Sequence, residues 1–330
     1  MDVSRNTWAI GDALDLARQL PDDSIDCIVT SPPYWGLRSY LADDDPDKAL
    51  EMGAEPTLVE YVERLVALFA ELRRALKPDG TCWLNLGDSY ANDGKWGGSS
   101  KGKHVAALRG QTGVGRGKTV SGLKPKDLCL VPYRVALAMQ ADGWWVRDNI
   151  VWRKPNPMPS SVKDRCTSSH EAVFMLTKSA RYWFDAGAIA EPSVIGKGAV
   201  RNIACANKGS SDRNDGDRYG VVNDGTRNAR NVWTIPTRGY SGSHYAVMPP
   251  ELARRCVVAG CPKGGLVLDP FGGSGTVGMV AAAEGRDWLM FDLDERNAEL
   301  MRERTPAQSL GDALAKAEPG VLPGQVGLFE

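Results

Sequence analysis

Short apolar runs alternate along the chain with stretches whose apolar residues recur at helical spacing. This is the signature of an α/β protein built on a mostly parallel, doubly wound sheet. Ile25 to Val29, Thr81 to Leu86, Val146 to Trp152, Ala172 to Leu176, Leu266 to Leu268 and Trp288 to Phe291 read as strands. Between the first two, Leu58, Val62, Leu65, Val66, Phe69, Leu72 and Leu76 line one helix face. Thr57 with Glu60 three residues on predicts a capping box at its start, and Lys77-Pro78-Asp79-Gly80 predicts its end. A second helix is expected with Pro132 in its first turn, ending before Gly143.

Three stretches break the alternation. Gly94 to Lys126 holds nine glycines in 33 residues, too many for a regular element, and reads as a flexible loop. Ala186 to Ser243 is rich in Gly, Asn, Asp and Arg, with apolar residues mainly near Val221 and at Val232 to Ile235, and reads as a small insert between two halves of the sheet. Arg304 to Glu330 has little periodicity and reads as a tail. The expected organisation is therefore 1–93 with 127–185 as one half of the main domain, 94–126 as the loop, 186–243 as the insert, 244–303 as the other half and 304–330 as the tail.

Charge alters this picture more than composition does. The 330 residues carry 40 basic and 41 acidic side chains, a net charge of −1. From Gly94 to Lys126 there are six lysines, two arginines and no acid, so the rest of the chain stands at −9. Near-neutrality thus averages an acidic body with a cationic loop. No apolar run approaches the roughly 20 residues of a membrane helix, and Met1 to Ile10 lacks the basic start and apolar stretch of a secretory leader, so none is expected. Seven cysteines without a CxxC pair, and three histidines, give no metal site and suggest reduced thiols in a cytoplasmic protein.

Two motifs carry chemistry. Leu266-Val267-Leu268-Asp269-Pro270-Phe271-Gly272-Gly273-Ser274-Gly275-Thr276 is a buried strand running into a glycine turn and a small-residue helix. Gly273, Gly275 and Gly278 satisfy GxGxxG, and Asp292 follows the next strand, about where an acid holds ribose hydroxyls. No Lys follows the glycines, which excludes a nucleoside-triphosphate P-loop. A nicotinamide nucleotide, or merely a tight turn, stays open on this motif alone. The second motif, Ser31-Pro32-Pro33-Tyr34-Trp35, ends the strand at Ile25 to Val29. Its prolines fix the backbone, so a hydroxyl, the Pro32 carbonyl and the ring of Tyr34 can face one planar base bearing an amino group. A proline-rich turn with buried aromatics is the plainer alternative.

With both motifs in this order, the chain resembles the permuted, β-group DNA amino-methyltransferases, which use S-adenosylmethionine to methylate cytosine N4 or adenine N6. Their catalytic motif matches Ser31 to Tyr34, and their cofactor motif matches Asp269 to Thr276. Gly11-Asp12-Ala13, Asn149 to Pro159, His170-Glu171 and His244 to Pro249 resemble further family segments, so the likeness leaves out the loop, the insert and the tail.

The resemblance implies a Rossmann-like methyltransferase fold with a small inserted recognition region. It implies Ser31, Pro32, Pro33 and Tyr34 as the catalytic set acting on a base flipped from the duplex. Asp269, Pro270, Phe271, Gly272, Gly273, Ser274, Gly275 and Thr276 would hold the amino-acid end of the cofactor, Asp292 its ribose and Asp12 its adenine, with His244 over its methionine. Asp12 and Asp292 can instead simply cap the following helices. Ser at position 31 favours cytosine N4, with adenine N6 as the alternative. A cytosine-C5 mechanism needs a Pro-Cys nucleophile, which the chain lacks.

Lys101, Lys103, Arg109, Arg116 and Lys118 of the loop, with Arg153 and Lys154, are the candidate DNA contacts; a solvated linker is the loop's other reading. Sequence reading would fall to the Arg and Asn side chains of 186–243. The resemblance also implies a homodimer and a place in DNA restriction-modification. The terminal Gln325-Val326-Gly327-Leu328-Phe329 resembles peptides that dock on the bacterial sliding clamp; a helix-end anchor or chance match is the alternative. Against the methyltransferase stand a nucleotide-dependent oxidoreductase and a catalytically silent DNA-binding module.

Overall fold

The computed structural model describes residues 3–37, 39–42, 44–91, 121–193, 200–202, 220–222, 225–237 and 248–305. Lys101, Lys103, Arg109, Arg116, Lys118, His244 and the terminal Gln325, Leu328 and Phe329 lie outside these. The main unit comprises 1–184 and 231–330. In chain order it holds β1 (Thr7–Ile10), α1 (Ala13–Gln19), β2 (Ile25–Thr30), α2 (Leu58–Ala75), β3 (Leu76–Leu86), α3 (Val131–Ala141), β4 (Trp145–Arg153) and β5 (His170–Thr177). A second compact unit, Asp185–Arg230, contains β6 (Glu191–Pro192), β7 (Val200–Asn202), β8 (Gly220–Val222) and β9 (Thr226–Arg227), with β6 antiparallel to β9 and β7 to β8. In it, Glu191 takes ion pairs from Arg227 and Arg230. The main unit resumes with β10 (Val232–Thr234), α4 (Pro250–Gly260), β11 (Leu266–Asp269), α5 (Thr276–Ala283), β12 (Asp287–Asp292) and α6 (Arg296–Arg304).

Eight strands form one sheet in the order β1-β12-β11-β2-β3-β5-β4-β10. Every neighbouring pair is parallel except the two made by β5, which alone runs against the rest. The six strands read from the sequence are all present. They are legible because the sheet is covered on both faces, which makes its inner strands continuously apolar. Along β3, Cys82, Leu84 and Leu86 join the core cluster that contains α2, whereas the Thr81 hydroxyl donates to the Gly260 carbonyl of α4 at 2.8 Å. Strand side chains alternate, so α2 and α4 lie on opposite faces.

Helix α2 carries the expected capping box: the Glu60 amide donates to the Thr57 hydroxyl, and the Glu60 carboxylate takes the Thr57 amide. Its end at Ala75 is followed directly by β3, so Lys77-Pro78-Asp79-Gly80 is the opening of a strand rather than a separate loop. The segment Val232–Thr234, read from sequence as part of the insert, is instead the edge strand of the large sheet, parallel to β4. Among the described residues no helix is long and apolar enough to cross a membrane.

The order also locates a crevice. From β2 the chain winds outward to β3 in one direction, while β11, β12 and β1 follow one another in the other. Ligands of open α/β sheets bind at the carboxyl ends of the strands flanking such a switch. Here those ends are Thr30 and Asp269.

Candidate active site

The turn after β2 is held from below. The Tyr61 hydroxyl of α2 donates to the Pro33 carbonyl at 2.9 Å, and the Trp35 indole donates to the Glu55 carbonyl at 2.9 Å. Gly53, at φ +90, packs on the carbonyls of Pro33 and Tyr34, and its own carbonyl takes the Gly36 amide. Any side chain there would be both strained and crowded. Glu55 accepts the Gly53 amide at 2.8 Å and is anchored by Arg64 at 3.2 Å. Beyond the end of β3, Gly87 lies under the ring of Tyr34; a methyl group at that position would overlap it.

Above this support lies a connected polar cluster. The Ser31 hydroxyl donates to Tyr34 Oη at 3.3 Å and lies 3.4 Å from Asn85 Oδ1. Tyr34 Oη donates to Glu171 Oε2 at 2.7 Å, and Asn85 Nδ2 donates to the same oxygen at 3.2 Å. The other oxygen of Glu171 is ion-paired with Lys154, whose ammonium also lies 4.4 Å from the Trp152 ring centroid. The reversed direction of β5 makes this possible. Its first residues stand beside the last residues of β3 and β4, with Ala172 opposite Leu86 and Glu171 opposite Trp152. Burial and the neighbouring Glu171 charge push the Tyr34 hydroxyl well above its ordinary range, so it keeps its proton and remains a donor.

The glycine motif stands on the next strand. Thr30 Oγ1 donates to Asp269 Oδ1 at 2.7 Å, and the Phe271 amide donates to the same oxygen at 3.0 Å. Asp269 is 4% exposed, and burial pushes it up to about 7. The chain then turns through Pro270, Phe271, Gly272, Gly273, Ser274 and Gly275 into Thr276, the first residue of α5. Gly273 and Gly275 adopt φ +51 and +76, the left-handed region that glycine tolerates. Arg304, from the end of α6, donates to the Ser274 carbonyl at 3.0 Å and to the Thr276 hydroxyl at 3.1 Å, bracing the turn.

Asp292, at the end of β12, accepts the Gly273 amide at 2.7 Å, the Asp294 amide at 2.9 Å and the Asn297 side chain at 2.9 Å. Burial raises its carboxyl above the ordinary range. Asp12 caps α1, taking the Leu14 and Asp15 amides at 2.9 and 3.1 Å, while its second oxygen lies 3.5 Å from Arg64. The Gly11 amide donates to the Asp292 carbonyl, which brings the two aspartates to one edge of the sheet. The structure therefore brings Ser31, Pro32, Pro33, Tyr34, Asp12, Asp269 and Asp292 to the carboxyl end of the sheet.

Arg153 is exposed at the end of β4, its guanidinium 3.5 Å from the Thr234 hydroxyl. Lys154, read from sequence as a DNA contact, turns inward to Glu171. Sequence reasoning missed Asn85, Arg64, Gly53, Gly87 and Arg304. Asn85 did leave a signal: it is the one amide within the apolar run Cys82 to Leu86, and it is only 3% exposed. Burial raises the thiols of Cys27, Cys82, Cys256 and Cys261, so none of these is a ready nucleophile.

Comparison with known proteins agrees with this geometry. The N6/N4-methyltransferase family of DNA methylases matches residues 25–303. The type II methyltransferase M.XycI of Xanthomonas campestris pv. cyanopsidis is 42% identical over 299 residues, covering 91% of this chain and 87% of that protein. M.SmaI of Serratia marcescens is 42% identical over 295 residues, covering 89% of each. Among solved structures, the cytosine-N4-specific PvuII DNA methyltransferase superposes with a TM-score of 0.58 at 18% identity, over 93% of this chain and 95% of that one. The likeness to that structure is one of fold. A nicotinamide role for the glycine motif is set aside, and the chain belongs to the N6/N4-methyltransferase family of DNA methylases.

Proposed function

We propose that this methyltransferase binds S-adenosylmethionine between the ends of β2 and β11 and methylates the exocyclic amine of a base flipped from DNA, with cytosine N4 as the target. The hydrogen bond from Thr30 to Asp269 carries this reading, because it couples the base-facing turn directly to the glycine turn. The donor set fits the cofactor. Asp269, Asp292 and Asp12 offer carboxylates along one strand-end row, suited to an ammonium group, ribose hydroxyls and an adenine amine respectively. The glycine turn, shaped by Pro270 and Thr276, suits the amino-acid end by letting the ligand approach its backbone closely, while its Phe271 and Gly273 amides fix Asp269 and Asp292 in place; by the family resemblance His244, outside the described residues, would cover the methionine. S-adenosylmethionine supplies an electrophilic methyl on a sulfonium.

The protein's work is alignment and polarisation. Ser31 Oγ and the Pro32 carbonyl accept hydrogen bonds from the amine and draw its lone pair out of conjugation. Pro33 keeps the turn rigid, and Tyr34 stacks on the base. A neutral serine at position 31 supports cytosine over adenine as the target. Lys101, Lys103, Arg109, Arg116, Lys118 and Arg153 neutralise phosphates, Lys154 does so only if it leaves Glu171, and 186–243 reads the sequence. We further propose a homodimer and clamp docking through Gln325, Leu328 and Phe329; loss of clamp co-elution on deleting the last six residues tests the latter.

Ser31→Ala and Tyr34→Ala test the site. Each is expected to lower single-turnover methylation by about 100-fold or more while cofactor affinity, measured by calorimetry, is kept. Retained turnover in both would overturn the assignment.

A further inference from the structure

Glu171 has no part in the scheme above, yet it is the carboxylate to which the Ser31 and Tyr34 hydroxyls lead, with the neutral Asn85 Oδ1 as their other acceptor, 3.4 Å from Ser31 Oγ and 3.2 Å from Tyr34 Oη. Ser31 Oγ donates to Tyr34 Oη at 3.3 Å, and Tyr34 Oη donates to Glu171 Oε2 at 2.7 Å. Asn85 donates to the same Glu171 oxygen, and Lys154 holds the other, so the carboxylate is fixed facing Tyr34. Among the described residues, Lys154, just after β4, and Tyr34, from the turn after β2, are the ionisable groups in hydrogen-bond or ion-pair contact with it. Ser31, Tyr34 and Asn85 are neutral and cannot keep an added proton. Asp269, the other carboxylate near the turn, is committed to Thr30 and the Phe271 amide.

We propose that Glu171 is the terminal acceptor for the proton the exocyclic amine sheds on methylation, delivered through Ser31 and Tyr34. The inference rests on the proposed roles of Ser31 and Tyr34. As the nitrogen–methyl bond forms and the carbon–sulfur bond breaks, the amine gains positive charge and carries one proton too many. That proton passes to Ser31 Oγ as the Ser31 hydroxyl proton moves to Tyr34 Oη and the Tyr34 proton moves to Glu171 Oε2. The balance is a neutral methylamino base, an unchanged serine and tyrosine, and a protonated Glu171. Lys154 stays cationic throughout and orients the carboxylate. A serine at the head of the catalytic motif cannot itself act as a base at neutral pH, and the relay lends it one.

Tyr34→Phe cuts the relay while keeping the stacking ring, and Glu171→Gln keeps the shape of the acceptor. Unmethylated genomic DNA, S-adenosylmethionine and enzyme in excess of target sites give a single turnover for each. The expected result is a rate about 100-fold lower in each variant, with a double variant no slower than the slower single and both ligand affinities within about threefold of wild type. Infrared difference spectra of the wild-type product complex should show a carboxylic-acid band that Glu171→Gln abolishes. Wild-type rates in either single variant, multiplying losses in the double variant, or no such band would overturn the relay while leaving the site reading intact. If the wild-type enzyme forms no N-methylated base, the site reading fails and the relay falls with it.

Discussion

Thr30 and Asp269 are separated by 239 positions in the chain and joined by a 2.7 Å hydrogen bond at the carboxyl edge of the sheet. Each ends its own strand, and the strands are paired in parallel with Val267 opposite Cys27 and Leu268 opposite Ile28. This single bond links the Ser31–Tyr34 turn, proposed to face the base, to the glycine turn, proposed to hold the cofactor. Replacing Thr30 by Val keeps the shape of the strand end and removes the bond. The expected outcome in calorimetry is an affinity for S-adenosylmethionine lower by about tenfold, as for loss of one hydrogen bond to a charged group.

Asp269 makes both binding and stability depend on pH. Burial lifts its folded-state value to about 7, above the ordinary carboxylate range. A cationic ligand favours the ionised form, so affinity for S-adenosylmethionine should rise between pH 6 and 8, with proton release on binding, and Asp269→Asn should bind weakly without this dependence. The sign for the ligand-free protein is opposite. Because the folded carboxyl holds its proton more tightly than the unfolded one, its contribution to stability is full below about pH 4 and is lost as pH rises through about 7. Ligand-free Asp269→Asn should therefore melt higher than wild type at pH 8, by at most ~4 kcal/mol, with the difference shrinking at pH 5. A difference that grows on acidification would contradict the assignment.

Gly87 leaves room for the ring of Tyr34. Gly87→Ala should displace that ring and lower methylation by at least about tenfold while leaving cofactor affinity unchanged, since the cofactor turn lies on another strand. Equal losses of turnover and cofactor affinity would point to a general disturbance instead.

Asp292 binds the Gly273 amide as well as groups at the start of α6. Asp292→Ala should weaken cofactor binding and leave the fold intact, with a melting point lowered by the loss of buried hydrogen bonds worth about 1 kcal/mol each. Unchanged calorimetric affinity would remove Asp292 from the cofactor site.

Neutralising Lys101, Lys103, Arg109, Arg116 and Lys118 together should flatten the salt dependence of DNA binding by about 4 in the slope of log K against log salt. An unaltered slope would reduce the loop to a linker.

The inner strands and the sharp turns after β2 and β11 were legible in the sequence because burial on two faces writes continuous apolar runs, and because proline and glycine mark sharp strand ends. The edge strands were not. Thr7–Ile10 is only four residues long and ends in an exposed isoleucine, and Val232–Thr234 buries just its central Trp233. Neither length nor periodicity distinguishes such segments from loops. The cluster of Ser31, Tyr34, Asn85 and Glu171 was hidden for another reason. Asn85 lies 54 positions from Ser31 and 86 from Glu171, and only the reversed course of β5 brings them together. The ion pair of Lys154 with Glu171 was not legible because Glu171, 17 residues on, is reached across the β4–β5 pairing and not along the chain.

The most direct measurement is nucleoside mass spectrometry of unmethylated DNA after incubation with the enzyme and methyl-labelled S-adenosylmethionine. Label is expected in N4-methylcytosine and is expected to be lost in Ser31→Ala. Label in N6-methyladenine would move the target base and retain the chemistry. DNA free of any N-methylated base would contradict the account.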